Sequence, residues 1–144
     1  MKRIALAVMM CVAVGILGAC GSSDPTSPSN QENPGTSNQG TSTKISAAQA
    51  KEMMDSSDPY ILVDVRTADE YAGAHIDTAI LIPVDDLASR AASELPDKDA
   101  RILVYCQSGG RSARAAQTLV GLGYQQVFDM GGIKDWPYGT VSGR

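Results

Sequence analysis

The sequence predicts an α/β domain in which a parallel sheet is covered by helices on both faces. Two observations predict it. Short β-branched and aliphatic runs recur along residues 44–144, and stretches carrying helix-capping signals or helical spacing lie between them. Strands buried on both faces read as continuous apolar runs, which is the form seen here. Length sets the third bound: 144 residues leave room for one domain plus appendages and exclude a dinucleotide fold with a separate substrate domain.

The elements follow in order. Ser46-Ala47-Ala48-Gln49 has the S-x-x-Q form of a capping box and opens a short helix to Met54. Tyr60 to Val65 is a β-branched run bounded by Asp58-Pro59 and predicts a buried strand. Thr67-Ala68-Asp69-Glu70 is a second capping box, which by itself accounts for Glu70. Ala79 to Ile82 predicts a short strand ended by Pro83, and Val84 to Glu94 a helix stopped before Pro96. Arg101 to Tyr105 is a third strand that runs straight into Cys106. Ala113, Ala116, Leu119 and Val120 then recur at helical spacing, with Gly121 and Gly123 as stop signals. Gln126 to Met130 is the last strand, followed by Gly131-Gly132.

The N-terminus reads differently. Lys2 and Arg3 precede an uncharged apolar run of 14 residues, Ile4 to Leu17, short of the roughly 20 a membrane-spanning helix needs. Residues 1–19 are therefore read as a signal peptide. The run ends in Leu17-Gly18-Ala19-Cys20, which resembles the bacterial lipobox; that resemblance implies diacylation of Cys20, palmitate being a typical chain, and two acyl chains anchor stably where one is marginal. Residues 21–43 contain no aliphatic or aromatic side chain, and 16 of the 23 are Ser, Thr, Pro or Gly. Such a segment cannot bury enough apolar surface to offset the entropy of ordering. Residues 20–43 are thus expected to be a lipidated Cys with a disordered tether of roughly 25 to 30 Å root-mean-square span, holding the domain of residues 44–144 at a bacterial membrane, outside the cytoplasm.

Hydrophobic residues make up 43% of the chain and the formal net charge is −4. Loss of Lys2 and Arg3 leaves 10 basic against 16 acidic residues, a balance of −6. An acidic domain with no basic cluster is a poor nucleic-acid binder, so no nucleic-acid partner is expected. Of the three cysteines, Cys11 leaves with the signal and Cys20 is acylated, so Cys106 is the one thiol of the folded domain and no intramolecular disulfide is expected.

Ligands bind at the carboxyl ends of strands in such sheets, which directs attention to Cys106-Gln107-Ser108-Gly109-Gly110-Arg111-Ser112. A helix N-terminus offers unpaired N–H groups and partial positive charge, which stabilise a thiolate nucleophile. Cys106 is placed there by the pattern. Gly109 and Gly110 allow positive φ, so that successive amides can curl toward one anionic centre, and Arg111 adds a planar cationic donor. The helix is expected to begin at Ser112.

These residues resemble the single-domain rhodaneses, a family of sulfurtransferases. The resemblance covers about Ile45 to Gly139. It rests on Leu62-Val63-Asp64-Val65-Arg66, Glu70-Tyr71, His75-Ile76, Ile82-Pro83, Cys106-x-x-Gly109-x-Arg111-Ser112 and Gly131-Gly132-Ile133-x-x-Trp136, all in the family's order. It implies a rhodanese-like fold, a five-stranded parallel sheet with helices on both faces and a short first strand near Ile45. It implies that Cys106 takes a sulfane sulfur from a donor such as thiosulfate, becomes a persulfide and passes the sulfur to cyanide or a thiol. Gln107, Ser108, Gly109, Gly110 and Arg111 would form the substrate-binding loop, Asp64 and Arg66 would brace the turn over it, and a thiol reductant protein is a further candidate partner. No metal or organic cofactor is implied. Many relatives carry Gly before the His and Gly-Ala after it, where this chain has Ala74 and Thr78-Ala79, and the segment from Trp136 to Gly139 is shorter than usual. His75, the only histidine, is read as a packing or surface residue and Trp136 as an anchor for the final turn.

Two other function classes share these residues. A cysteine phosphatase or arsenate reductase uses the same Cys and Arg but, as a class, has five residues between them, against four here. A non-catalytic rhodanese-like binding module would not require Cys106.

Overall fold

The computed structural model describes residues 40–143; the signal segment, Cys20 and most of the tether expectation lie outside these described residues. The chain runs β1 (Thr41–Lys44), α1 (Ala47–Asp55), β2 (Ile61–Asp64), α2 (Ala68–Gly73), β3 (Ile80–Leu81), α3 (Leu87–Glu94), β4 (Arg101–Cys106), α4 (Gly110–Gly121), β5 (Gln126–Gly132) and a 3-10 turn, Ile133–Asp135. The five strands form one sheet in the order β1-β5-β4-β2-β3, every pairing parallel.

Side-chain alternation along β4 divides the core in two. Ile102, Val104 and Cys106 point to the face covered by α3 and α4, where they meet Leu87, Ala91, Ala115, Ala116 and Leu119. Leu103 and Tyr105 point to the other face, with Leu62, Ala50 of α1, Ile76 and Met130. All five are buried, and β4 lies in the middle of the five-stranded order. Tyr124 closes the first face from below. Its hydroxyl donates toward the carbonyls of Ala91 and Leu95 at 2.9 and 2.6 Å and so ties the end of α3 to this face; the Ala91 carbonyl also accepts the Leu95 N–H at 2.8 Å.

Both capping boxes form as the sequence predicts, Ser46 with Gln49 and Thr67 with Glu70. Most boundaries agree within one residue, and four elements differ by more. β1 begins at Thr41, inside the segment read as tether, because its pairing with β5 is made by backbone groups at a sheet edge and its four side chains are exposed, so no apolar pattern marks it. α3 starts at Leu87 rather than Val84, since the Val84 N–H is drawn to the Val65 carbonyl at 3.1 Å and Pro83 to Asp86 form a turn. α4 starts at Gly110 rather than Ser112, and its buried face is Ser112, Ala115, Ala116 and Leu119, with Ala113 and Val120 half-buried at the margins. β5 continues through Gly132, past Met130, by means of a bulge. Val104 pairs with Asp129 but Cys106 pairs with Gly132, so β5 spends one residue more than β4 over this step. The extra residue turns at Gly131, φ +80°, whose N–H donates to Asp129 Oδ1 at 2.9 Å.

Candidate active site

β4 ends in Cys106 and α4 begins at Gly110, so only three residues turn the chain from the sheet into the helix. That turn requires Gly109, which occupies the N-cap in a left-handed conformation at φ +103°. Gly110 has no such role: it is the first helical residue, exposed, with open space where a Cβ would lie. The expectation of positive φ at both glycines is therefore corrected to Gly109 alone.

The Cys106 Sγ accepts the Gly109 N–H at 3.1 Å. Burial pushes the thiol up, but the N–H groups of Ser112, Ser108 and Gly109 and the Ser112 hydroxyl act the other way, and together they hold Cys106 below the ordinary thiol range. Ser112 is itself fully buried, its hydroxyl donating to the carbonyls of Gly109 and Gly131 at 3.0 and 3.2 Å. It ties the loop to the β5 bulge. Gly132 presses against the loop from the same side: a Cβ there would lie 2.6 Å from the Gln107 carbonyl oxygen and 2.8 Å from Ser108 Cα. Gln107 and Ser108 are exposed at the rim.

Asp64 and Arg66, at the end of β2, form a buried ion pair. Arg66 donates Nε and Nη2 to Asp64 at 3.0 and 2.7 Å, Nη2 to the Ala74 carbonyl at 2.6 Å and Nη1 to Gln107 Oε1 at 3.3 Å. The pair spans from the sheet to the loop, and Arg66 stays charged: burial opposes this, but the hydrogen bond and charge of Asp64 raise the guanidinium above its usual value. His75 stacks on Tyr71 with ring centroids 3.8 Å apart and is joined to Val141 by an antiparallel bridge, so it packs the C-terminal segment. Trp136 packs half-buried on the α1 face and donates Nε1–H to the Gly139 carbonyl at 3.0 Å.

Glu70 does more than cap α2. Its two carboxylate oxygens also receive both Nη groups of Arg111 at 2.7 Å each, across 41 residues of sequence. The hydrogen bond from Arg111 holds the Glu70 carboxyl at about 2, well under the usual carboxylate value. Sequence reasoning missed this pair because the capping box already accounted for Glu70. Nothing short of the fold brings α2 to the start of α4. Arg111, read as a donor for a bound oxyanion, has a resident carboxylate on its fork.

The Rhodanese-like domain profile matches residues 46–137. The chain belongs to the rhodanese family. It is 37% identical over 81 residues to the thiosulfate sulfurtransferase PspE of Escherichia coli K12, covering 56% of this chain and 78% of that one. It is 35% identical over 94 residues to the thiosulfate sulfurtransferase GlpE of Coxiella burnetii, covering 65% and 85%. Among solved structures, a rhodanese with anions from E. coli is 35% identical and matches with a TM-score of 0.56 over 59% of this chain and 100% of its own. The rhodanese is thus placed in a sulfurtransferase family by both sequence and fold, with the five-stranded α/β sheet that the resemblance implied.

Proposed function

We propose that this rhodanese moves a sulfane sulfur from a donor such as thiosulfate to cyanide or a thiol acceptor through a persulfide on Cys106. The observation that carries the proposal is the position of Sγ, buried at the N-terminus of α4 with an N–H at 3.1 Å and a thiol held below its ordinary range. The thiolate attacks the outer sulfur of thiosulfate; the new S–S bond forms as the S–S bond of the donor breaks and sulfite leaves with that electron pair. The acceptor then attacks the outer sulfur of the persulfide, and the Cys106 thiolate is restored. Converging amides at Gly109 and the start of α4 stabilise negative charge on Sγ first and on the added sulfur next. The names of relatives as thiosulfate sulfurtransferases support the donor class.

The test is intact-mass measurement of the domain after thiosulfate, followed by cyanide. One added sulfur atom on Cys106 that cyanide removes is the expected result. Cys106→Ser should take up none while keeping its fold by circular dichroism. Full sulfurtransfer by that variant overturns the mechanism.

The proposal extends to location. The lipobox-like Leu17-Gly18-Ala19-Cys20 supports export and acylation at Cys20, which puts the reaction outside the cytoplasm beside a membrane, where a thiol reductant protein is a suitable acceptor.

A further inference from the structure

Arg111 is the only cationic side chain between Cys106 and Ser112, and it senses the Cys106 charge: after its hydrogen bond to Glu70 and the opposing effect of burial, the charges of Glu70, Cys106 and Asp64 act to raise its guanidinium. An unopposed arginine there would pull doubly charged donors into the site. It is not unopposed. Both Nη groups are taken by Glu70 in a bidentate pair, each side chain about a third exposed, and Glu70 is fixed in turn by the Thr67 N–H and hydroxyl at 3.1 and 3.0 Å. The other arginine at the loop, Arg66, is matched by Asp64, and the exposed rim residues Gln107 and Ser108 are neutral.

We infer that Glu70 is a specificity-determining residue of this site: by occupying the Arg111 fork it cancels the loop's only cation and favours singly charged or neutral sulfur donors, the hydropersulfides of organic thiols, over the thiosulfate dianion. This rests on the sulfurtransferase reading above. With a hydropersulfide R–S–SH, the Cys106 thiolate forms a bond to the outer sulfur, the R–S bond to that sulfur breaks, and the thiolate R–S⁻ leaves; the proton stays on the transferred sulfur. Charge is one negative before and after, so no dianion has to be held.

Glu70→Gln is the direct test, because the neighbouring box on α1 already uses Gln49 at the same position and shows that Gln keeps the cap. Freed from its carboxylate, Arg111 should lower the KM for thiosulfate roughly threefold to tenfold, with less than about a twofold change for the hydropersulfide of 2-mercaptoethanol, which carries no other charge. A second readout needs no turnover. The pH profile of Cys106 alkylation should move to lower pH in Glu70→Gln, since Asp64 on β2, Arg66 just after it, Tyr105 on β4, Asp129 on β5 and Lys134 beyond it are unchanged. Adding Arg111→Gln to Glu70→Gln should return both quantities toward wild type. Wild type supplies a test free of folding effects: salt should not weaken its use of thiosulfate, whereas capture by a free arginine would weaken steeply. A folded Glu70→Gln protein with unchanged thiosulfate KM and an unmoved alkylation profile overturns the inference, as does steep loss of thiosulfate use with salt in wild type. If no donor adds sulfur to Cys106 in any variant, the sulfurtransferase reading fails instead, and the alkylation profile still decides whether Glu70 screens Arg111.

Discussion

At the scale of single residues, the domain places its least comfortable backbone away from Cys106. Thr78 sits at φ +68°, the one non-glycine residue among those described with a positive φ, in the turn closed by the Ala79 N–H to the Ile76 carbonyl at 3.1 Å. A left-handed conformation costs an L residue roughly 1 to 2 kcal/mol, and a β-branched side chain has little to offset it. Its side chain is exposed, and the one local bond made here runs from its own N–H to Asp77 Oδ1, which any residue keeps. Thr78→Gly should therefore stabilise the fold by about 0.5 to 1 kcal/mol once the greater freedom of glycine in the unfolded chain is subtracted. Urea unfolding measures this. A lower midpoint in the variant would show that Thr78 makes a contact worth more than its strain. Cys106, by contrast, is held without strain of its own, because Gly109 supplies the unusual dihedral next to it.

At the scale of elements, what the sequence made legible were those whose own residues decide them. The two capping boxes, the strand into Cys106 and the stop at Gly123, φ +92°, are local chemistry and formed where predicted. What escaped was decided by partners far along the chain: β1 by the backbone of β5, the start of α3 by the Val65 carbonyl, and the Glu70–Arg111 pair by the docking of α2 beside α4. The bulge in β5 belongs to the same group, although Gly131-Gly132 was its visible sign. Its consequence is mechanical, because Gly132 lets the strand lie against the loop that follows Cys106. The Cβ of Gly132→Ala would meet backbone atoms of Gln107 and Ser108, at 2.6 and 2.8 Å, which cannot swing aside as a side chain would. The loop must shift, and with it the amide at 3.1 Å from Sγ. The variant should lose about 1 to 3 kcal/mol of stability and on the order of a hundredfold in kcat/KM, as expected when a reacting group is displaced by about 1 Å. Sulfurtransfer kinetics beside a melting curve separate the two effects. Unimpaired turnover would show that the loop tolerates movement against β5.

At the scale of the whole molecule, the site and the proposed anchor lie at separate ends of one chain and draw on different physics. The proposed nucleophile, the amides around it and the Asp64–Arg66 and Glu70–Arg111 ion pairs all come from elements within residues 41–143. Membrane attachment, as proposed, rests on acyl chains alone: an acidic chain with a balance of −6 after loss of Lys2 and Arg3 gains nothing from anionic headgroups. A single chain binds a bilayer only marginally, and two bind it stably, so the attachment stands or falls with Cys20. Cys20→Ala, expressed as the full precursor in a bacterial host, should leave the protein in the aqueous phase on detergent partitioning, while the wild type enters the detergent phase. Persulfide formation on Cys106 should be equal in the two. A Cys20→Ala protein that still follows the detergent would place the anchor in the apolar run Ile4–Leu17 and identify that run as an uncleaved hydrophobic segment.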